Sequence, residues 1–151
     1  MKLKNKSLKV DQQLCFALYS TSRLLIQSYA PLLQALDLTY LQYLVLLVLW
    51  EHDRMSVKSI GDKLLLDSGT LSPLVKKLEL KGLTLKVRSP DDERIVFIVL
   101  TVKGKALEVR SKNIPQQMFC KLGLQSNEVV KIKNQLQVLL NNLISEHKQK
   151  G

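Results

Sequence analysis

The feature that most constrains this chain is a change of hydrophobic period at Gly82. Before it, Leu71, Leu74, Val75 and Leu78 recur at helical spacing, and after it Leu83, Leu85 and Val87 alternate with Thr84, Lys86 and Arg88. A period near 3.6 asks for a helix with one buried face, and a period of 2 asks for a strand. Upstream, Val57, Ile60 and Leu64 mark a short helix, and Asp67-Ser68-Gly69-Thr70 is a turn rich in capping residues. Downstream, Ser89-Pro90-Asp91-Asp92 is a turn signal, and Ile95 to Leu100 is rich in β-branched residues. Together the two alternating runs predict a β-hairpin with an exposed tip.

Helix, turn, helix, hairpin is the order of a winged helix-turn-helix. The predicted fold is mainly α with a small β-wing, a winged helix-turn-helix module flanked by a helical dimerisation region. The second helix of the pair has two distinct faces. Leu71, Leu74, Val75 and Leu78 point inward, while Ser72, Pro73, Lys76 and Lys77 point outward. Hydroxyls and lysines on such a face reach phosphates and base edges in a major groove. Pro73 lacks an N–H and is expected in a first turn, with the helix starting around Ser68 to Thr70 and its positive end toward phosphate. Two lysines alone fit a solvated face equally well. The hairpin tips the balance, because Arg88 and Arg94 flank its tip, where an arginine can enter a minor groove. Asp92 is placed to hold the Arg94 guanidinium by a bidentate contact.

The flanks read as helix. Leu14, Leu18, Thr21 and Leu25 define a first helix from residue 11 to about 30, ended or kinked by Pro31. Asp37-Leu38-Thr39 offers a cap for a second helix, Tyr40 to Glu51, apolar nearly all round and therefore expected to be buried on several sides. Thr101 to Gly104 leads into a fifth helix, with Cys120 near its end. Ser126 caps a sixth, whose Val129, Ile132, Leu136, Leu139 and Leu143 form a seam that asks for a partner helix.

The charge agrees with an anionic partner. The 151 residues carry 23 Lys+Arg against 13 Asp+Glu, a formal +10. Part of it lies on the N-terminal arm, at Lys2, Lys4, Lys6 and Lys9. The longest apolar run, Tyr43 to Trp50, is too short to cross a bilayer. No long apolar stretch follows the basic N-terminus, so no signal peptide is expected. Two cysteines and two histidines make neither a disulfide framework nor a His-rich metal site. The expectation is a cytoplasmic protein with reduced thiols, no cofactor, no metal and no membrane partner.

The segment Asp92 to Gly104, Asp-Glu-Arg followed by an alternating strand and Leu100-Thr101-Val102-Lys103-Gly104, resembles the wing signature of MarR-type regulators. Asp67 to Glu79 resembles the recognition-helix segment of the same family. The resemblance covers the chain as a single MarR-like domain, 1–151. It implies a DNA-reading module at 53–102, a dimerisation region at 9–34 and 104–147, and a homodimer on a pseudo-palindromic double-stranded operator. By the residue reading and the resemblance together, Ser68, Thr70, Ser72, Pro73, Lys76, Lys77, Arg88, Asp92 and Arg94 are the candidate DNA-binding residues.

Cys15 stands in Leu14-Cys15-Phe16-Ala17-Leu18-Tyr19. On periodicity alone it reads as a small buried hydrophobe, and Tyr29 and Tyr40 as core or interface aromatics. Leu-Cys-Phe with tyrosines at 29 and 40 resembles the organic-hydroperoxide-sensing branch, the OhrR regulators. That resemblance implies a peroxidatic thiol at Cys15, hydroxyls of Tyr29 and Tyr40 that hold and polarise it, and an organic hydroperoxide as inducer. Cys120, in Met118-Phe119-Cys120-Lys121, fits the two-cysteine type, in which the second thiol closes an intersubunit disulfide; otherwise it is an incidental thiol. Cys15 and Tyr29 are about 21 Å apart along one helix, so their contact requires an antiparallel neighbour. The expected function is a redox-switched repressor, not an enzyme. The rival is a MarR-type repressor released by a small aromatic or phenolic ligand, with Cys15 only structural. A thiol peroxidase and a basic architectural protein are disfavoured.

Overall fold

The computed structural model describes residues 8–149. Lys2, Lys4 and Lys6 of the basic arm lie outside them. The chain divides into two compact units, Met1–Asn113 and Ile114–Gly151.

In the first unit, a single 3₁₀ turn at Val10–Gln12 precedes α1, Leu14–Gln34. The remaining elements are α2 (Tyr40–Glu51), β1 (Arg54–Ser56), α3 (Val57–Leu64), α4 (Ser68–Leu80), β2 (Thr84–Arg88), β3 (Val96–Leu100) and α5 (Val102–Ser111). The three strands form one antiparallel sheet in the order β1-β3-β2. Its third strand, β1, is an addition to the hairpin expected from sequence. Arg-Met-Ser is too short to show a period, and what holds it is non-local: Arg54 pairs with Val99, Met55 with Ile98 and Ser56 with Phe97.

The core is a layer of aliphatic side chains from α2, α3, α4 and β3. Val45, Leu46, Leu49, Ile60, Leu78 and Ile98 are all without solvent contact. Leu71 and Val75 join them, as the period of α4 demands, while Leu74 is half-buried. The α2 helix is buried on several sides, as its composition foretold. Its start is a capping box: the Gln42 N–H donates to Thr39 Oγ1 at 3.3 Å, and the Thr39 N–H donates back to Gln42 Oε1 at 3.0 Å.

Three helix ends share one device. After α1, α3 and α4 the chain enters the left-handed region at Asp37, Leu65 and Gly82. In each, paired N–H groups bend back onto the last turn, as when Leu83 N–H meets the Leu78 carbonyl and Gly82 N–H the Glu79 carbonyl. Gly82 is the stop expected from sequence. Pro31, expected to end or kink the first helix, does not end it: α1 continues through it to Gln34. Its ring removes one N–H, and Leu33 beyond it is buried.

The alternating run forms β2 as expected, and its two faces differ in burial. Leu83 is buried, but Leu85 and Val87 lie on the outer face of the sheet, exposed at 53% and 40%. The inner face is built by Thr84, Ile98 and Leu100, because β2 begins only at Thr84.

The expected long fifth helix is two helices. The first, α5, is capped by Thr101, whose Oγ1 accepts the Gly104 N–H at 3.0 Å, and it ends at Ser111. In the second unit, α6 spans Ile114–Lys121 with Pro115 in its first turn, and α7 spans Ser126–Gln149. No residue of α7 is buried, and Ile132, Leu136 and Leu143 are each more than two-fifths exposed. Among the described residues, no helix is long and apolar enough to cross a membrane.

Candidate DNA-reading surface and thiol sites

The α4 helix begins on an acidic cap. Asp67 Oδ1 accepts the Thr70 N–H at 2.9 Å, and Asp67 Oδ2 accepts the Thr70 hydroxyl at 2.9 Å. The Thr70 N–H, and after it the Thr70 hydroxyl, hold the Asp67 carboxyl below the ordinary carboxylate range. The hydroxyl's one hydrogen is thereby committed to Asp67. Thr70 keeps lone pairs for a base donor, not a hydrogen for a phosphate. Ser68, Ser72, Lys76 and Lys77 are all exposed along the helix. Pro73 is exposed too, but it sits in the second turn and not the first, since the helix starts at Ser68. It therefore removes a hydrogen bond the Gly69 carbonyl would otherwise receive.

At the wing, the Ser89 N–H donates to the Ile95 carbonyl and the Ile95 N–H to the Asp92 carbonyl, both at 2.9 Å. The Asp92 carboxylate accepts the backbone N–H of Arg94 at 3.0 Å. Its distance to the Arg94 guanidinium is 3.9 Å through Nε alone, and that side chain is 93% exposed. The expected bidentate clasp is thus not formed. Asp92 shapes the turn, and the Arg94 head is free to swing into a groove. Arg88 stands across the tip, its Nη1 donating to the Glu93 carbonyl at 3.5 Å.

Sequence reasoning passed over the space between these parts. A cavity of about 720 Å³ opens between the N-termini of α3 and α4 and the root of the wing. Ser56, Lys58, Ser68 and Arg94 line it, with Val57 and Ile95 as apolar walls. Ser56 caps α3 by accepting the Ser59 N–H at 3.0 Å. Nearby, the Arg54 guanidinium covers the Phe97 ring at 4.0 Å, a stacked cation at the sheet edge. The signal was present in Arg54-Met55-Ser56-Val57-Lys58, a basic stretch leading into a serine-capped helix.

The thiol site is divided. Cys15 is exposed in the first turn of α1, so it is not the small buried hydrophobe that periodicity allowed. Tyr29 and Tyr40 do meet, with ring centroids 4.8 Å apart, and Tyr43 stands 6.1 Å from Tyr29. Burial first, and the neighbouring Tyr40 second, push the Tyr29 hydroxyl up; burial pushes Tyr40 up. Both stay protonated through the physiological range and are hydrogen-bond donors. Within one chain the unbroken α1 keeps Cys15 about 21 Å along the axis from Tyr29. In the second unit Cys120 is exposed, its sulfur 3.8 Å from Gln116 Nε2.

Comparison with known proteins decides the family. The chain is 45% identical over 144 residues to the organic hydroperoxide resistance transcriptional regulator of Bacillus subtilis (strain 168), covering 95% of this chain and 97% of the other. This chain belongs to the MarR-type winged-helix regulators, in their organic-hydroperoxide branch. A family model described as transcriptional regulator SarA/Rot matches residues 27–110 of this MarR-type chain. Among solved structures, AbfR of Staphylococcus epidermidis has a TM-score of 0.78 at 34% identity, covering 95% of this chain and 99% of that one. Reduced AbfR bound to DNA superposes with a TM-score of 0.75 at 36% identity, over 89% and 96% of the two chains. A disulfide-formed AbfR superposes less closely, with a TM-score of 0.63 at 35% identity over 87% and 92%.

Proposed function

We propose that this MarR-type protein is a redox-switched transcriptional repressor, a cytoplasmic homodimer that binds a pseudo-palindromic operator when reduced and leaves it when Cys15 is oxidised. It acts as a regulator and not as a turnover enzyme. Residues 53–102 read DNA, with Ser68, Thr70, Ser72, Pro73, Lys76 and Lys77 of α4 in the major groove. Arg88 and Arg94, the latter set by Asp92, reach the minor groove. The flanks, 9–34 and 104–147, build the dimer.

One observation carries the sensing half. An exposed thiol stands in the first turn of α1, and toward the far end of that helix Tyr29 meets Tyr40 of α2, both hydroxyls protonated. Cys15 and Tyr29 project to similar faces, because the interval is close to four turns. An antiparallel α1 from a second copy would bring each Cys15 to the other's Tyr29 and Tyr40. The Cys15 thiolate attacks the distal oxygen of the hydroperoxide. The O–O bond breaks, the alcohol leaves with a proton, and sulfur becomes a sulfenic acid. The Cys120 thiol of the second copy then attacks that sulfur, releasing water and closing a disulfide. Reduced AbfR on DNA and a disulfide-formed AbfR support a reduced bound state and a disulfide state, and overoxidised AbfR bound to DNA favours the disulfide, over thiol oxidation alone, as the releasing step.

The test is a gel shift with reduced protein, repeated after one equivalent of cumene hydroperoxide. Wild type loses the operator and Cys15→Ser keeps it. Loss in both would transfer the reading to the ligand-released alternative. A groove of about 630 Å³ beside Ile26, Ala30 and Tyr40 is where such a ligand would sit. With +10 per chain, and so about +20 per dimer, affinity falls steeply with salt.

A further inference from the structure

A cluster of cations on the first unit is given no side-chain role in this scheme. Where the α1–α2 turn meets α4 and α5, a cavity of about 350 Å³ is lined by Lys81, Lys103 and Arg110, with Asp37 the one carboxylate. Each cation is held by backbone. Lys103 Nζ donates to the Lys81 carbonyl at 2.8 Å, and Arg110 Nη2 to the Ala35 carbonyl at 3.3 Å. Lys81 Nζ donates to the Asp37 carbonyl and pairs with the Asp37 carboxylate at 3.1 Å. The carbonyl bonds hold the Lys103 and Arg110 heads without neutralising them, since carbonyls carry no net charge, while Lys81 is paired with Asp37. Three cations against one carboxylate leave an excess of two. A guanidinium offers five N–H groups and an ammonium three, so donors remain for a guest.

Geometry narrows the guest. Lys103 and Arg110 stand two turns apart on one face of α5, about 10.5 Å along the axis. Between them the lining is apolar: Ala106, Leu107 and Leu83. We propose that this cavity is a binding site for a small dianion with a carboxylate at each end of a short apolar body, Lys103 and Arg110 taking one end each. The site uses neither thiol, so it stands or falls apart from the redox mechanism.

The molecule carries its own reporter. Trp50 is the single tryptophan, and its Nε1 donates at 3.0 Å to the Gly104 carbonyl, next in sequence to Lys103. The full-length Cys15→Ser protein is titrated with adipate at constant ionic strength, following Trp50 emission and heat. Saturable binding is expected, at least about tenfold tighter than for hexanoate, which has the same chain length and one carboxylate. Lys103→Gln/Arg110→Gln should weaken adipate at least about tenfold while leaving operator affinity in the absence of adipate unchanged. Should that double variant fail to fold, Lys103→Gln alone carries the same test with a smaller loss. Three results would each overturn the proposal: no saturation with adipate, equal affinity for hexanoate, or undiminished binding in the folded variant. A variant that loses operator affinity with no anion present would do so too, by assigning these cations to the DNA backbone.

Discussion

The α2 and α7 helices both carry aliphatic residues at helical spacing and meet opposite fates. Six of the 12 residues of α2 are buried, and none of the 24 of α7. The first is finished inside its own chain, with a capping box at its start and the winged module packed around it. The second holds Val129, Ile132, Leu136, Leu139 and Leu143 along one face, and most of that face meets water. Covering Ile132, Leu136 and Leu143 would return roughly 1 kcal/mol each. A helix that leaves that much undone is half of an interface, which is what the proposed homodimer supplies. The contrast also separates two kinds of stability, one belonging to the fold and one to the assembly.

The sharpest way to break this contrast is a matched pair of truncations. Leu49→Ala in α2 should cost about 2–5 kcal/mol, read by urea denaturation, with a midpoint shift that does not depend on protein concentration. Leu136→Ala in α7 should instead make the midpoint depend more strongly on concentration and shift sedimentation toward monomer. Equal concentration dependence in the two variants would end the account of α7 as an interface.

A somewhat smaller effect is expected at the joint between α2 and α5. A Cβ on Gly104 would lie 2.1 Å from the Leu83 carbonyl oxygen, a backbone atom that cannot rotate away. Gly104→Ala should cost about 1–3 kcal/mol and shift Trp50 emission, because Trp50 bonds the same residue. Unchanged emission would show that α5 accommodates the methyl without moving. Losing the α2 cap is milder still. Thr39→Ala should cost about 1 kcal/mol by thermal unfolding, with no change in assembly.

The smallest effect is in acid. The Asp67 carboxyl is held low by Thr70, so its contribution is present above the ordinary carboxylate range and is lost as pH falls through the lowered value. Melting curves between neutral pH and about pH 3 should therefore fall more steeply in wild type than in Asp67→Asn, whose amide cannot titrate. Parallel curves would remove Asp67 from the acid response.

Much of the reading head was legible because its information is local. Period identified the buried face of α4, and Gly82 marked the stop where only a residue tolerant of the left-handed region fits readily. Where the reading went astray, a non-local force had overruled a local rule. Pro31 can end or kink a helix, and α1 runs past it to the buried Leu33. Asp92 was placed on the Arg94 guanidinium, and the turn took it for the backbone instead. The β1 strand has no pattern of its own and exists only because β3 offers it a ladder.

The sequence by itself determined the order of elements, the two faces of α4 and the basic reading surface, and its family resemblance singled out the cysteines and tyrosines of the thiol site. It could do so because periodicity, capping and charge are written within a few residues of where they act. Only the tertiary structure decided that Tyr29 and Tyr40 meet, that Cys15 stands exposed and apart from them in one chain, and that Lys81, Lys103 and Arg110 converge on one cavity. Those outcomes depend on how helices distant in sequence pack, and packing is set by the whole core at once.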